Sequence, residues 1–167
     1  MVAPRRPRVV GPQDGRLGSL GSIGVRFLLG GLDADGRFAL VEHPMPPRAL
    51  AAPLHRHSRE DEFSFVLEGS MGAQLGDQIV RAEVGDLVCK PRGQWHTFWN
   101  AGDTPARILE IISPAGFERF FEELADLEAS AHPPDGAAVV ALGARYGCEL
   151  DPSSVPRLLA DHRLTFG

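Results

Sequence analysis

Lysine is almost missing from this 167-residue chain: Lys90 is the only one, against sixteen arginines. That bias, with abundant alanine, glycine and proline, points to a bacterium with a G+C-rich genome and says nothing about chemistry. Cysteine is nearly as scarce. Cys89 and Cys148 are too few and too ill-spaced for a disulfide framework, and each is expected to be a small buried hydrophobe. Long apolar runs are absent, and no stretch approaches the roughly eighteen residues that a membrane helix requires. An export signal would need an apolar segment after the Arg5-Arg6 pair, yet Arg16, Arg26 and many glycines interrupt that stretch, so a cytoplasmic protein is expected. Positive charge is also in deficit. With 17 basic against 22 acidic residues, a formal net charge of -5 and a pI near 5.6, the chain has no broad basic surface for nucleic acid. The one basic cluster, Arg5, Arg6 and Arg8, sits among Pro4, Pro7 and Pro12 and reads as a solvated tail.

What is present is enough apolar residue, 43%, for one sizeable core. From about Ser22 to Ser113 the chain is a string of short β-like runs: 24–29, 38–42, 62–67, 79–80, 85–89 and 106–112. Turn signals at Asp33-Ala34-Asp35-Gly36, Glu68-Gly69, Leu75-Gly76-Asp77 and Asn100-Ala101-Gly102-Asp103 separate them. Many short strands at this spacing predict an all-β sandwich or barrel. Pro44, Pro46, Pro47 and Pro53 predict a loop over its mouth. After Pro114 the pattern changes. Phe117, Phe120, Phe121, Leu124 and Leu127 recur at helical steps among acidic residues, which predicts an amphipathic helix packed on the outside of the barrel. Pro133-Pro134-Asp135-Gly136 ends it; Ala137 to Tyr146 and Pro156 to Arg163 read as two further helices. The expected organisation is a flexible segment over 1–21, a barrel over 22–113 and helices packing on it over 114–167.

The chemistry concentrates in two runs. His55 and His57 are two apart in a strand-like stretch, so both imidazoles share a face. Glu62 begins the next strand, and His96 lies in the strand-forming run His96 to Trp99. Brought together, three histidines and one carboxylate suit a divalent Fe, Ni, Mn, Cu or Zn ion. Alternation places Ser64 and Val66 on the inward face with Glu62, and Phe98 and Asn100 with His96, giving a pocket floored by Val66 and Phe98. Trp95, Thr97 and Trp99 then fall outside or at the rim.

These residues resemble the two motifs of the cupin superfamily, and in particular of its single-domain members. The first, G-x5-H-x-H-x3,4-E-x6-G, is matched by His55, His57, Glu62 and Gly69, with Ala49 in place of the leading glycine. The second, G-x5-P-x-G-x2-H-x3-N, is matched throughout by Gly85, Pro91, Gly93, His96 and Asn100. Glu60 and Asp61 crowd the carboxylate position, but only Glu62 has the motif's spacing. The resemblance implies a small jelly-roll barrel, a metal held by His55, His57, Glu62 and His96, and a homodimer. The ligand set is similar to that of quercetinase-like dioxygenases, where such a glutamate also takes a proton from the substrate hydroxyl, the role this implies for Glu62.

The ligand set and the pocket support three readings of function. The first is a metal-dependent dioxygenase or related enzyme acting on a small enolisable or phenolic compound. The second is an oxygen-independent isomerase or lyase using the ion as a Lewis acid. The third is a non-enzymatic barrel that binds or senses a small ligand. Among the remaining polar residues, Glu110 interrupts an apolar run and is expected to face solvent. His43 and Arg48 flank the mouth loop and are expected at the surface, and His132 and His162 belong to the helical region, away from any metal.

Overall fold

The computed structural model describes residues 7–130 and 133–167; Arg5, Arg6 and His132 lie outside them. Eleven strands and three α-helices follow one another among these residues. They are β1 (Arg16–Ser19), β2 (Gly24–Leu29), β3 (Ala39–Met45), β4 (Leu54–His57), β5 (Asp61–Glu68), β6 (Ser70–Leu75), β7 (Gln78–Glu83), β8 (Leu87–Lys90), β9 (His96–Asn100) and β10 (Ala106–Ser113), then α1 (Glu118–Ser130), α2 (Gly136–Arg145), β11 (Cys148–Asp151) and α3 (Val155–His162). The strands form a six-stranded sheet, β1-β2-β3-β10-β5-β8, and a five-stranded sheet, β11-β4-β9-β6-β7. Every strand pair is antiparallel. The fold is the expected all-β jelly roll with helices after it. No described helix is long and apolar enough to cross a membrane.

Period-two alternation sets which residues meet between the sheets. On β5, Glu62, Ser64 and Val66 are buried and the residues between them half-buried. On β10, Ala106, Ile108, Glu110 and Ile112 are buried. Val25, Val41, Met45, Val66, Met71, Ile108 and Ile112 build the main core. Two glycines are required by geometry. Gly69 turns β5 into β6 at φ 73°, a conformation that costs other residues strain. Gly72 lies under the Trp99 indole, and a Cβ there would sit 2.2 Å from Nε1.

Several expectations need correction. Residues 16–19, assigned to a flexible segment, form strand β1, paired with β2 in the register Leu17↔Arg26. The strand is secured from outside: Gly18 lets Ala125 of α1 approach closely, and Arg16 reaches Asp126 at 2.5 Å. The region after Pro114 is not helical throughout, because β11 pairs with β4, placing Cys148 opposite His57 and Leu150 opposite His55. The stripe of α1 does not lie against an outer wall. Phe117, Phe120 and Leu124 are buried in the main core, and with Phe121 they line the cavity between the sheets. Thr97 and Trp99 are buried on the far face of β9, since Leu50, Leu158 and Leu164 form a second core against Trp99 and His162 stacks on its indole, centroids 4.3 Å apart. Cys148 is buried as expected, but Cys89 is exposed. On β8 it is Val88 and Lys90 that face inward.

Candidate metal centre

The antiparallel register of β4 and β9 sets His55 directly opposite His96, and alternation carries His57 to the same face. Glu62 enters from β5 in the other sheet. One ligand atom from each of His55, His57, Glu62 and His96 lies within 4.8 Å of the others, and all four residues are buried. Glu62 Oε2 stands 3.4 Å from Nε2 of both His57 and His96. Two of the rings are aimed by backbone carbonyls: Nδ1 of His55 donates to Pro53 O at 2.8 Å, and Nδ1 of His96 donates to Gln94 O at 3.0 Å. Each bond fixes the tautomer that leaves Nε2 with a lone pair for the cluster.

The cluster fits a metal. Both ring nitrogens of His57 and Nε2 of His96 are buried with no hydrogen-bond partner, an arrangement that costs about 1–3 kcal/mol per group. A metal ion would satisfy Nε2 of His57 and Nε2 of His96. Burial, with His96 and His57 alongside, pushes His55 well below the usual imidazole range, and burial likewise lowers His96 against its contact with Glu62. These rings are therefore neutral and able to ligate. Burial alone would raise the Glu62 carboxyl, but Lys90 and His57 outweigh it and hold the group well below its ordinary value. Three imidazoles and one carboxylate form a donor set for a divalent first-row ion such as Fe, Ni, Mn, Cu or Zn. Asp61 is diverted from the site: Arg92 grips its two oxygens at 3.0 and 2.6 Å and holds its pKa at about 2. Glu60 is buried but lies outside the ligand group.

Behind the ligands is a buried charge system missed at the level of sequence. The Lys90 ammonium, fully buried, bridges Glu62 Oε2 at 3.1 Å and Glu110 Oε2 at 2.9 Å, and lies 4.6 Å from the Phe98 ring centroid. Desolvation lowers the Lys90 pKa, but the two carboxylates outweigh it and raise the value overall. Ser64 donates to the same Glu110 oxygen at 2.7 Å. Glu110 is thus buried, contrary to the solvent-facing expectation; burial raises its pKa to about 7 despite the Lys90 charge. The signal was available, because Glu110 shares its face with Ile108 and Ile112, and Lys90 shares its face with Val88.

The site opens on a cavity of about 520 Å³ whose walls include His43, His55, Glu62, Phe98, Glu110, Phe117 and Phe121. Phe117 packs its edge on His57, centroids 4.2 Å apart. Of the four expected pocket residues, Phe98 lines this cavity. The other three are elsewhere. Ser64 is spent on Glu110, Val66 is core, and Asn100 donates to the carbonyls of Met45, Pro46 and Thr104 while accepting from Gly102 N, so it braces two loops. His43 is 1% exposed, not at the surface, because its position on β3 alternates inward with Val41 and Met45. Arg48 is bound to Asp103 and the Ala101 carbonyl, away from the cavity.

The motif residues, the two antiparallel sheets and the buried ligand group define the class. A family model described as a cupin domain matches residues 42–112, so that part of the chain is similar to cupin domains. Over 60 residues it is 35% identical to the tetracenomycin polyketide synthase protein TcmJ of Streptomyces glaucescens. That match covers 36% of this chain and 40% of the relative's length. Among solved structures, KdgF from Halomonas sp. is similar at a TM-score of 0.60 and 15% identity, over 68% of this chain and 99% of that one. A variant of Streptomyces Pac13 bound to uridine is similar at a TM-score of 0.56 and 14% identity, over 69% and 88% of the two chains. The two structural likenesses are likenesses of fold.

Proposed function

We propose that the protein is a metal-dependent enzyme, foremost a dioxygenase, acting on a small enolisable or phenolic compound of polyketide type. The observation that carries this reading is the buried three-histidine, one-glutamate group opening on a cavity walled by Phe98, Phe117, Phe120 and Phe121. Flat apolar compounds fit such walls, and oxygen substituents fit the polar end. The match to a polyketide synthase protein supports the substrate class. A bound ion supplies Lewis-acid polarisation of a substrate oxygen and, if redox-active, a route to dioxygen. The chain's residues do the rest. Glu62 is kept anionic beside Lys90 and is placed to accept the hydroxyl proton, leaving the substrate as its electron-rich enolate. The aromatic wall of α1 keeps water from that enolate.

A second reading, oxygen-independent isomerisation, ring closure or lyase chemistry, is favoured by the buried Lys90–Glu110 pair, which provides proton donors without any oxidant. One experiment separates them. The metal-loaded protein is incubated with flavonols, 1,3-diketones and polyhydroxylated naphthalenes, in air and under nitrogen, and product and oxygen uptake are measured. The dioxygenase reading expects one O2 consumed per product and none formed under nitrogen. Undiminished conversion under nitrogen replaces it with the second reading, and no conversion in either removes both. The homodimer and the cytoplasmic location belong to this same proposal.

A further inference from the structure

The cavity contains a second polar point that a metal does not require. His43, in the middle of β3, lines the cavity and is held between the Phe98 ring, centroids 6.0 Å apart, and the edge of Phe121, 5.3 Å apart. Its Nδ1 lies 3.0 Å from the Gly24 carbonyl oxygen. A carbonyl oxygen only accepts, so Nδ1 carries the hydrogen and the neutral ring has its lone pair on Nε2. Burial favours that neutral form and lowers the pKa to about 4. No hydrogen bond among the described residues engages Nε2, the ring's free acceptor.

The neighbouring strand adds a second unpartnered group. Ile108 pairs with His43 and Glu110 with Val41, so His43 and Glu110 are diagonal neighbours on one sheet face, with side chains about 7–8 Å apart at their bases. Glu110 Oε2 is occupied by Ser64 and Lys90. Oε1 is buried without a partner, and the residue lines the same cavity. Orphaned buried polar atoms are rare in native structures and ask for a ligand.

We infer that His43 and Glu110 form the second binding point of the cavity, where His43 Nε2 accepts a hydrogen bond from a substrate hydroxyl. The ligand class is then an aromatic or enolic compound with two oxygen functions. One oxygen goes to the cluster of His55, His57, Glu62 and His96; the other, a hydroxyl, goes to His43. Glu110 Oε1 offers that second oxygen a further polar partner. A hydroxyl is selected over a carbonyl or an ether because Nε2 has a lone pair and no hydrogen to give. This inference rests on the cavity being the reactant site proposed above, but it concerns binding and is tested by binding.

The test is calorimetric titration of metal-loaded protein with 1,3-dihydroxynaphthalene and with its mono-methyl ether, 3-methoxynaphthalen-1-ol. The diol is expected to bind about tenfold more tightly than the ether, the effect of one well-made hydrogen bond in a dry site. His43→Phe should bind both at the level of the ether with its metal content unchanged, and His43→Gln, which keeps an acceptor oxygen, should recover part of the preference. In wild-type protein labelled with ¹⁵N-histidine, the Nε2 signal of His43 should move with the diol and stay in place with the ether. That readout stands even if His43→Phe fails to fold. Equal affinity for the two probes, a preference undiminished in the variants, or no binding of either probe overturns the inference. A protein that binds the diol through His43 and converts nothing refutes the catalytic proposal alone.

Discussion

The five-stranded sheet supplies nitrogen, and the six-stranded sheet supplies charge. His55 and His57 on β4 and His96 on β9 come from the first. Glu62 on β5, Lys90 on β8 and Glu110 on β10 come from the second. On the nitrogen side, burial keeps His55 and His96 neutral and backbone carbonyls aim them, while both ring nitrogens of His57 have no hydrogen-bond partner. The charged side is paired through register, Glu62 across strands with Lys90 and Ser64 with Glu110, and leaves Glu110 Oε1 without a partner. The candidate ion site therefore forms only where the two sheets face each other. Neither sheet holds it alone.

The largest break removes the nitrogen side. A His55→Ala, His57→Ala double variant should lose metal from near one ion per chain to background, read by elemental analysis of untagged protein purified without chelator. Metal retained in the variant would dismiss the ligand set. Next comes the charged side. Lys90→Met leaves Glu62 and Glu110 buried without a cation, and breaking such a group costs about 3–5 kcal/mol. Urea denaturation of the metal-free protein should show that loss. A much smaller loss is expected with metal bound, since the ion replaces the missing positive charge, and an unchanged midpoint without metal would rule out the charge system.

The smallest effect separates the two carboxylates by pH. Glu110 titrates in the fold at about 7, above its ordinary 4.5. Its folded state binds the proton more tightly than the unfolded chain does. Its contribution is full below pH 4.5 and declines as pH rises through about 7. Glu62 has the opposite sign: it is held below its ordinary value, so its contribution is present above about pH 4.5 and is lost in acid. Glu110→Gln should therefore flatten the stability profile of the metal-free protein between pH 4.5 and 7 and leave the acid limb in place. A slope that survives in Glu110→Gln would assign it to another group.

The three histidines and Glu62 were legible in the sequence, and the pairing of Lys90 with Glu62 and Glu110 was not, for a physical reason. A strand puts His55 and His57 on one face whatever its partner, so the local spacing carries the information, and the motif glycines mark the turns. The salt bridges from Lys90 to Glu62 and Glu110 depend on three strands that are far apart in sequence, and nothing within β8 or β10 states which charge meets which. His43 was misjudged because the prolines after it suggested an exposed loop, whereas β3 runs through Pro44 to Met45. The aromatic stripe of α1 was recognised as a buried face, but its spacing could not say that it covers a cavity. Strand β11 has no alternating run long enough to notice; pairing with β4 creates it.

The solitary lysine has a practical consequence. Its amine is sealed between the sheets, so the folded surface offers no lysine to acylating labels, aldehydes or amine-directed cross-linkers. A reagent meets that nitrogen only when the sheets part. The time course of Lys90 acylation in native buffer then reports how often the interior is opened to solvent, and a bound metal or ligand that clamps the two sheets together will slow it.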